Sequence, residues 1–288
     1  MAFKTKLPLM IGALLATSAV VTSATAQGMK DAPVAAADEQ RALKAAFNFG
    51  VTSDYIFRGF SQTRRNPAIQ GGVDLTYGIA YAGVWASTLN FNTATDPYVG
   101  LPVRASTEVD LYAGIKPVFK TASGNYNFDI GGIYYAYPGA KDPRAELNYF
   151  EFKAGVNRDL WKDGNLGTTV FFSPDYQQET GRVWTSETTF MQTFAAWNKI
   201  VPMFAATFGY QKGDSTGYRV AVTNGDSSYI YGNAGLTFTY DEKISLDLRY
   251  WDTNIKNDNA SGGFANSFCT GTVFQCSQRA IATVKFTF

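Results

Sequence analysis

The residues that could do chemistry in this chain are few, and an absence narrows them first. The 288 residues contain no histidine, which removes Ser–His and Cys–His nucleophilic pairs, HExxH zinc sites and imidazole general bases together. Carboxylates, cations and two thiols remain. Glu108 and Asp110 could serve acid–base hydrolysis as paired carboxylates. Two residues apart on a strand, however, they share one face and more simply line a wall. Asp252, Asn254, Asn257 and Asp258 supply oxygen atoms without the fixed ligand spacing of a calcium loop. The chain is therefore expected to hold no metal and no cofactor, and not to be an enzyme. Cys269 and Cys276 have no other cysteine to compete with, and an exported chain passes through an oxidising compartment, so a disulfide between them is expected.

Export is read from the first residues. Lys4 and Lys6 precede an apolar run, Leu7 to Val21, and the small residues Ala24-Thr25-Ala26 follow. That order is a secretory signal peptide cleaved after residue 26; the apolar run is too short and too broken by Thr and Ser to anchor in a bilayer. Residues 27–44, rich in Ala and acidic or amide side chains, read as a periplasmic lead-in segment. Residues 45–288 form the remaining unit. Losing Lys4 and Lys6 turns the balance of 25 basic and 24 acidic residues from +1 to −1. A near-neutral chain without a basic block gives no reason to expect nucleic acid as a partner.

The elements that must position the charges are strands. Aromatic residues reach 15% while charged residues are only 17%, below the quarter usual for a soluble domain. From Ala45 onward apolar and polar positions alternate over segments of about ten residues, the pattern of a strand with lipid on one side and a lumen on the other. Twelve such segments can be counted. The first sets Phe47, Phe49, Val51, Tyr55 and Phe57 against Asn48, Asp54 and Arg58; the third sets Tyr81, Trp85, Leu89 and Phe91 against Ala80, Ala82, Val84 and Ala86. The seventh (165–175) and eighth (183–197) alternate too weakly to fix a register. Links alternate between short and long, as periplasmic turns and extracellular loops do. The expected fold is thus all-β: one antiparallel transmembrane barrel of about 12 strands. The chain ends on Phe288, in register with Phe286 and Val284, which resembles the signal read by the outer-membrane assembly machinery.

Carried onto that barrel, the lumen-facing charges are Arg58, Glu108, Asp110, Lys116, Asp129, Glu151, Lys153, Asp247, Arg249 and Lys285. Two outcomes are open. Acidic residues on the fourth to sixth strands could face basic ones at the seam and set a transverse field for small polar solutes. Alternatively, the charges pair and fill the lumen, as buried charges tend to do. A barrel of this size lies between side-chain-filled small barrels and open 16-stranded porins.

The stretch Ser53-Asp54-Tyr55-Ile56-Phe57-Arg58-Gly59-Phe60-Ser61-Gln62-Thr63, followed by Asn66-Pro67-Ala68-Ile69-Gln70-Gly71-Gly72-Val73-Asp74, resembles the TorF-type porin family of proteobacteria. Glu108-Val109-Asp110-Leu111-Tyr112-Ala113-Gly114 and Phe152-Lys153-Ala154-Gly155-Val156 are also similar. The resemblance runs from about Ala45 to the C-terminus. It implies a barrel in the outer membrane of a Gram-negative cell, in contact with lipid and lipopolysaccharide, and implies no particular substrate. Passive diffusion of small solutes is the expected function. The alternative is a structural or surface-interaction barrel with a plugged lumen.

Overall fold

The computed structural model describes residues 42–91, 94–95, 102–141, 146–223, 225–255 and 276–288. The signal peptide, nearly all of the lead-in segment, Cys269, Asn257 and Asp258 lie outside these residues. Among the described residues no helix is long and apolar enough to cross a membrane.

Twelve long strands follow the alternating segments: β1 Lys44–Thr52, β2 Ala68–Tyr77, β3 Ala80–Thr88, β4 Thr107–Ile115, β5 Gly124–Ala136 and β6 Tyr149–Trp161. They continue with β7 Gly164–Ser173, β8 Val183–Thr193, β9 Ile200–Gly213, β10 Ser228–Tyr240, β11 Ile244–Thr253 and β12 Arg279–Thr287. Each pairs antiparallel with its chain neighbours, and β12 pairs back with β1 through Phe49↔Phe286 and Val51↔Val284. The sheet therefore closes and has no edge, the condition for placing backbone polar groups in an apolar medium. Pro117 cannot donate to a ladder. It interrupts β4, which resumes as Val118–Thr121 against the start of β5 and leaves only a turn at 122–123 between them.

Side chains alternate as a barrel turned inside out requires. Phe47, Leu111, Phe152, Phe208 and Leu248 are each about half exposed on the outer wall. Asp74, Asp110, Glu151, Lys153, Asp247 and Arg249 are buried inside it. The seventh and eighth registers are now fixed. Asn165 and Phe171 point inward on β7, and Val183, Thr185, Glu187 and Met191 do so on β8.

Two expectations are overturned. β1 ends at Thr52, and Tyr55 and Phe57 lie inside the barrel, 1% and 8% exposed. Instead of continuing into an outer loop, the chain turns inward as a hairpin that pairs Ile56 with Ser61 and Phe57 with Phe60. The third strand is inverted. Tyr81 and Trp85 face inward, Leu89 and Phe91 just beyond its end are also buried, and Ala80, Ala82 and Val84 meet the outside. The reason is space. Gly131 and Gly114 leave room for the Tyr81 ring, whose hydroxyl would lie only 2.6 and 2.5 Å from a Cβ at those positions. Ser87, inward and buried on the same face, carried that register in the sequence.

Candidate functional site: a lumen filled from one end

The lumen has two unlike halves. Toward the short turns small polar side chains line much of the wall, with charged groups such as Asp247 and Lys285 among them. Asn127, Asn157, Thr169, Thr189, Thr207, Thr239 and Thr287 point inward and are half-buried. Neighbouring strands are tied by side chains, as in Thr189–Thr207 at 2.9 Å and Asn127–Asn157 at 3.1 Å. Toward the long loops the lumen is occupied by residues 53–63.

A dense set of local bonds builds that hairpin. The Asp54 carboxylate accepts from Ser61 Oγ at 2.6 Å and from Thr63 Oγ1 at 2.8 Å. The Tyr55 amide donates to Thr63 Oγ1 at 3.1 Å, and Gln62 N donates to the Tyr55 carbonyl at 2.7 Å. Short polar side chains bonding nearby backbone in this way fold a loop without help from a sheet. At the tip Arg58 and Gly59 take positive φ, 48° and 89°. A Cβ at Gly59 would sit 2.3 Å from Thr253 Cγ2, so both the backbone sign and the close wall call for glycine there.

The tip projects across the barrel. Tyr55 packs edge-on against Trp85 of β3, Phe57 against Tyr135 of β5 and Phe60 against Tyr229 of β10, with centroids 5.5, 5.8 and 5.4 Å apart. Arg58 ends on β6. Its Nη1 and Nη2 donate to Glu151 Oε1 and Oε2, both at 2.7 Å, a bidentate pair with 0% and 1% side-chain exposure. Tyr135 also donates to Glu151 Oε2, at 3.0 Å. The guanidinium lies 4.8 Å from the ring centres of Phe57 and Phe171, and its own carbonyl accepts from Tyr229 at 3.1 Å. Burial alone would lower the Arg58 pKa. The Glu151 carboxylate outweighs that cost and holds it well above its ordinary value.

Five of the remaining sequence-predicted charges, Lys116, Asp129, Lys153, Asp247 and Arg249, pair with neighbours inside the barrel. Asp129 receives Lys153 at 2.9 Å and faces Lys116 at 3.9 Å. Both ammonium groups lie near the Tyr81 ring, 5.0 Å away for Lys116 and 5.4 Å for Lys153. Arg249 binds Asp247 at 2.8 Å and also donates to Asn233 Oδ1 at 2.6 Å. Of the two outcomes left open, these five charges take the second, since desolvated charges are stable only with partners at hand. Glu108 and Asp110 are fully buried beside the hairpin, and Lys285 shares the inward register of Ile281 and Thr283. Arg58 reaches the lumen by the inward turn and not by the strand register.

Sequence reasoning missed Glu187, Phe171 and Arg279. Glu187 accepts from Tyr231 at 2.5 Å, and Arg279 binds Asp54 at 2.8 Å, tying the hairpin base to β12. The cost of a charge on the lipid face would have turned Glu187 inward and set the register of β8. Cys276 is buried, and there is no free cysteine among the described residues.

In architecture the chain is similar to the KdgM porin (TM-score 0.48, 8% identity, 84% of this chain and 99% of that one). It is similar to the NanC porin (TM-score 0.46, 10% identity, 85% and 99%) and to LpxR from Salmonella typhimurium (TM-score 0.39, 10% identity, 84% and 99%). No curated protein matches the chain. A family defined from sequence does, over residues 36–288, and its range takes in every strand of the barrel, the hairpin and the Glu151 wall. The chain accordingly belongs to Gcw_chp, described as a bacterial protein family of unknown function.

Proposed function

We propose that this protein is an outer-membrane channel of the porin type, passing small polar solutes by diffusion. One observation carries the reading. The closed barrel presents its apolar residues outward while its charges and amides point inward, the reverse of a soluble barrel. Aromatic residues cluster on the outer wall near the short turns, among them Tyr77, Trp161, Phe194, Trp197 and Tyr240, all exposed, where interface-seeking rings belong. The reading includes export by the signal peptide at residues 1–26, a lead-in at 27–44, and Phe288 as the residue read by the assembly machinery. It also includes lipid and lipopolysaccharide as surroundings, a Cys269–Cys276 disulfide in the last long loop, TorF-type kinship and no catalytic activity.

Bilayer conductance of the refolded barrel tests the reading. Discrete steps are expected, with cation selectivity that falls in an E108Q/D110N variant. A second reading, a plugged barrel whose loops do the work, is favoured by the seated hairpin. A folded, heat-modifiable barrel that gives no steps even after residues 55–62 are replaced by a short glycine link would establish this second reading and end the first.

A further inference from the structure

The contact between Arg58 and β6 has the composition of a ligand site. Glu151 offers both carboxylate oxygens in the fork geometry that matches a guanidinium, and Tyr135 holds one of them. Phe171 offers a ring face 4.8 Å from the cation. These three groups stand on three different wall strands, β5, β6 and β7. They owe nothing to the hairpin for their positions, since the ladders β5–β6 and β6–β7 fix them. Arg58 comes to them from 93 residues away at the tip of a turn with positive φ. Filling a lumen does not require this chemistry. An apolar tip would plug it without desolvating two charges, and here Phe57 and Phe60 on either side of the tip already do that.

We propose that the Glu151–Tyr135–Phe171 wall is a guanidinium-binding site that the closed protein fills with Arg58 as a tethered ligand. A free solute bearing a monosubstituted guanidinium competes for the site, displaces Arg58 and unseats the hairpin. The inference rests on the channel reading for its consequence, the opening, but not for the binding itself. Glu108 and Asp110, also carried inward and buried on the wall toward the long loops, add to the negative potential that would draw such a cation in. Lysine-like ammonium ions fit less well, because a point charge makes neither the bidentate contact nor the stack on Phe171.

Chemical complementation with ethylguanidinium, and ethylammonium as control at equal ionic strength, tests this. Arg58→Ala empties the site. Ethylguanidinium is expected to raise the unfolding temperature of the detergent-refolded R58A barrel, and to close its open steps about tenfold more effectively than ethylammonium. The double variant R58A/E151Q is expected to lose that preference, and the wild-type barrel to open more often in ethylguanidinium. If R58A does not refold, Arg58→Lys serves instead, since it keeps a cation of the wrong shape in the site. Equal responses to the two cations in R58A, or in R58K where R58A does not refold, overturn the guanidinium site while leaving the channel standing. A barrel with residues 55–62 replaced that never conducts overturns the channel, and the temperature shift then still decides the binding site by itself.

Discussion

The two halves of the lumen solve one problem, polar groups held inside a narrow barrel, in opposite ways. The half near the short turns lines much of its wall with small polar side chains such as Thr189, Thr207 and Asn157, which bond across adjacent strands and are only half-buried. The half near the long loops uses large, deeply buried aromatic and charged side chains, with Tyr135, Glu108, Asp110 and Glu151 all at 0–2% exposure. Among the described residues, only the second half contains a segment that is not part of the wall. The difference teaches where stability and where permeability are decided. The first half is a lining, whose members can be exchanged one at a time. The second is a packed core assembled from distant parts of the chain, and its members depend on each other.

The largest effect expected from this contrast comes from Glu151→Ala, which leaves the Arg58 guanidinium buried without its counter-charge. It should cost about 3–5 kcal/mol, measured by urea unfolding of the barrel in micelles. A compensating R58M/E151L pair should recover most of that loss; a double variant as unstable as the single one would show that the site tolerates no apolar plug. Trp85→Ala removes a fully buried ring from the same core and should cost about 3–5 kcal/mol as well, at the lower end if the hairpin settles into the space. On the outer wall, Leu248→Lys should cost about 2–4 kcal/mol if that position lies near the membrane midplane. In the half near the short turns, Thr189→Ala breaks a single hydrogen bond and should cost about 1 kcal/mol or less. The smallest change of all is a label. In a background with the native cysteines replaced by serine, Thr207→Cys should react with a water-soluble maleimide. Ser87→Cys should react only once Arg58 is also replaced, and equal labelling of both would erase the distinction between the halves.

Much of this architecture was legible in the sequence. The alternation in β4, β6 and β11 placed Leu111, Phe152 and Leu248 outward and Asp110, Glu151 and Arg249 inward, as observed. Those strands carry charges, and a charge has only one tolerable side. Where charges were absent the reading slipped. β3 holds none, so its aromatic face was assigned to lipid by hydrophobicity alone, although Trp85 and Tyr81 are buried inside. The stretch after Thr52 kept alternating, so Tyr55 and Phe57 were carried along the strand when they belong to the plug.

What the sequence determined by itself was the set of preferences: period two, the sign of each face where a charge marks it, the short and long links, and the lack of any histidine chemistry. These are local properties, set by a residue and its neighbours at two positions' distance. The tertiary structure alone decided that Arg58 meets Glu151, that Asp54 meets Arg279, and that residues 53–63 turn into the lumen. Each of those contacts joins residues that are remote in the chain, and whether a buried charge finds its partner depends on closure of the whole barrel, which no local pattern encodes.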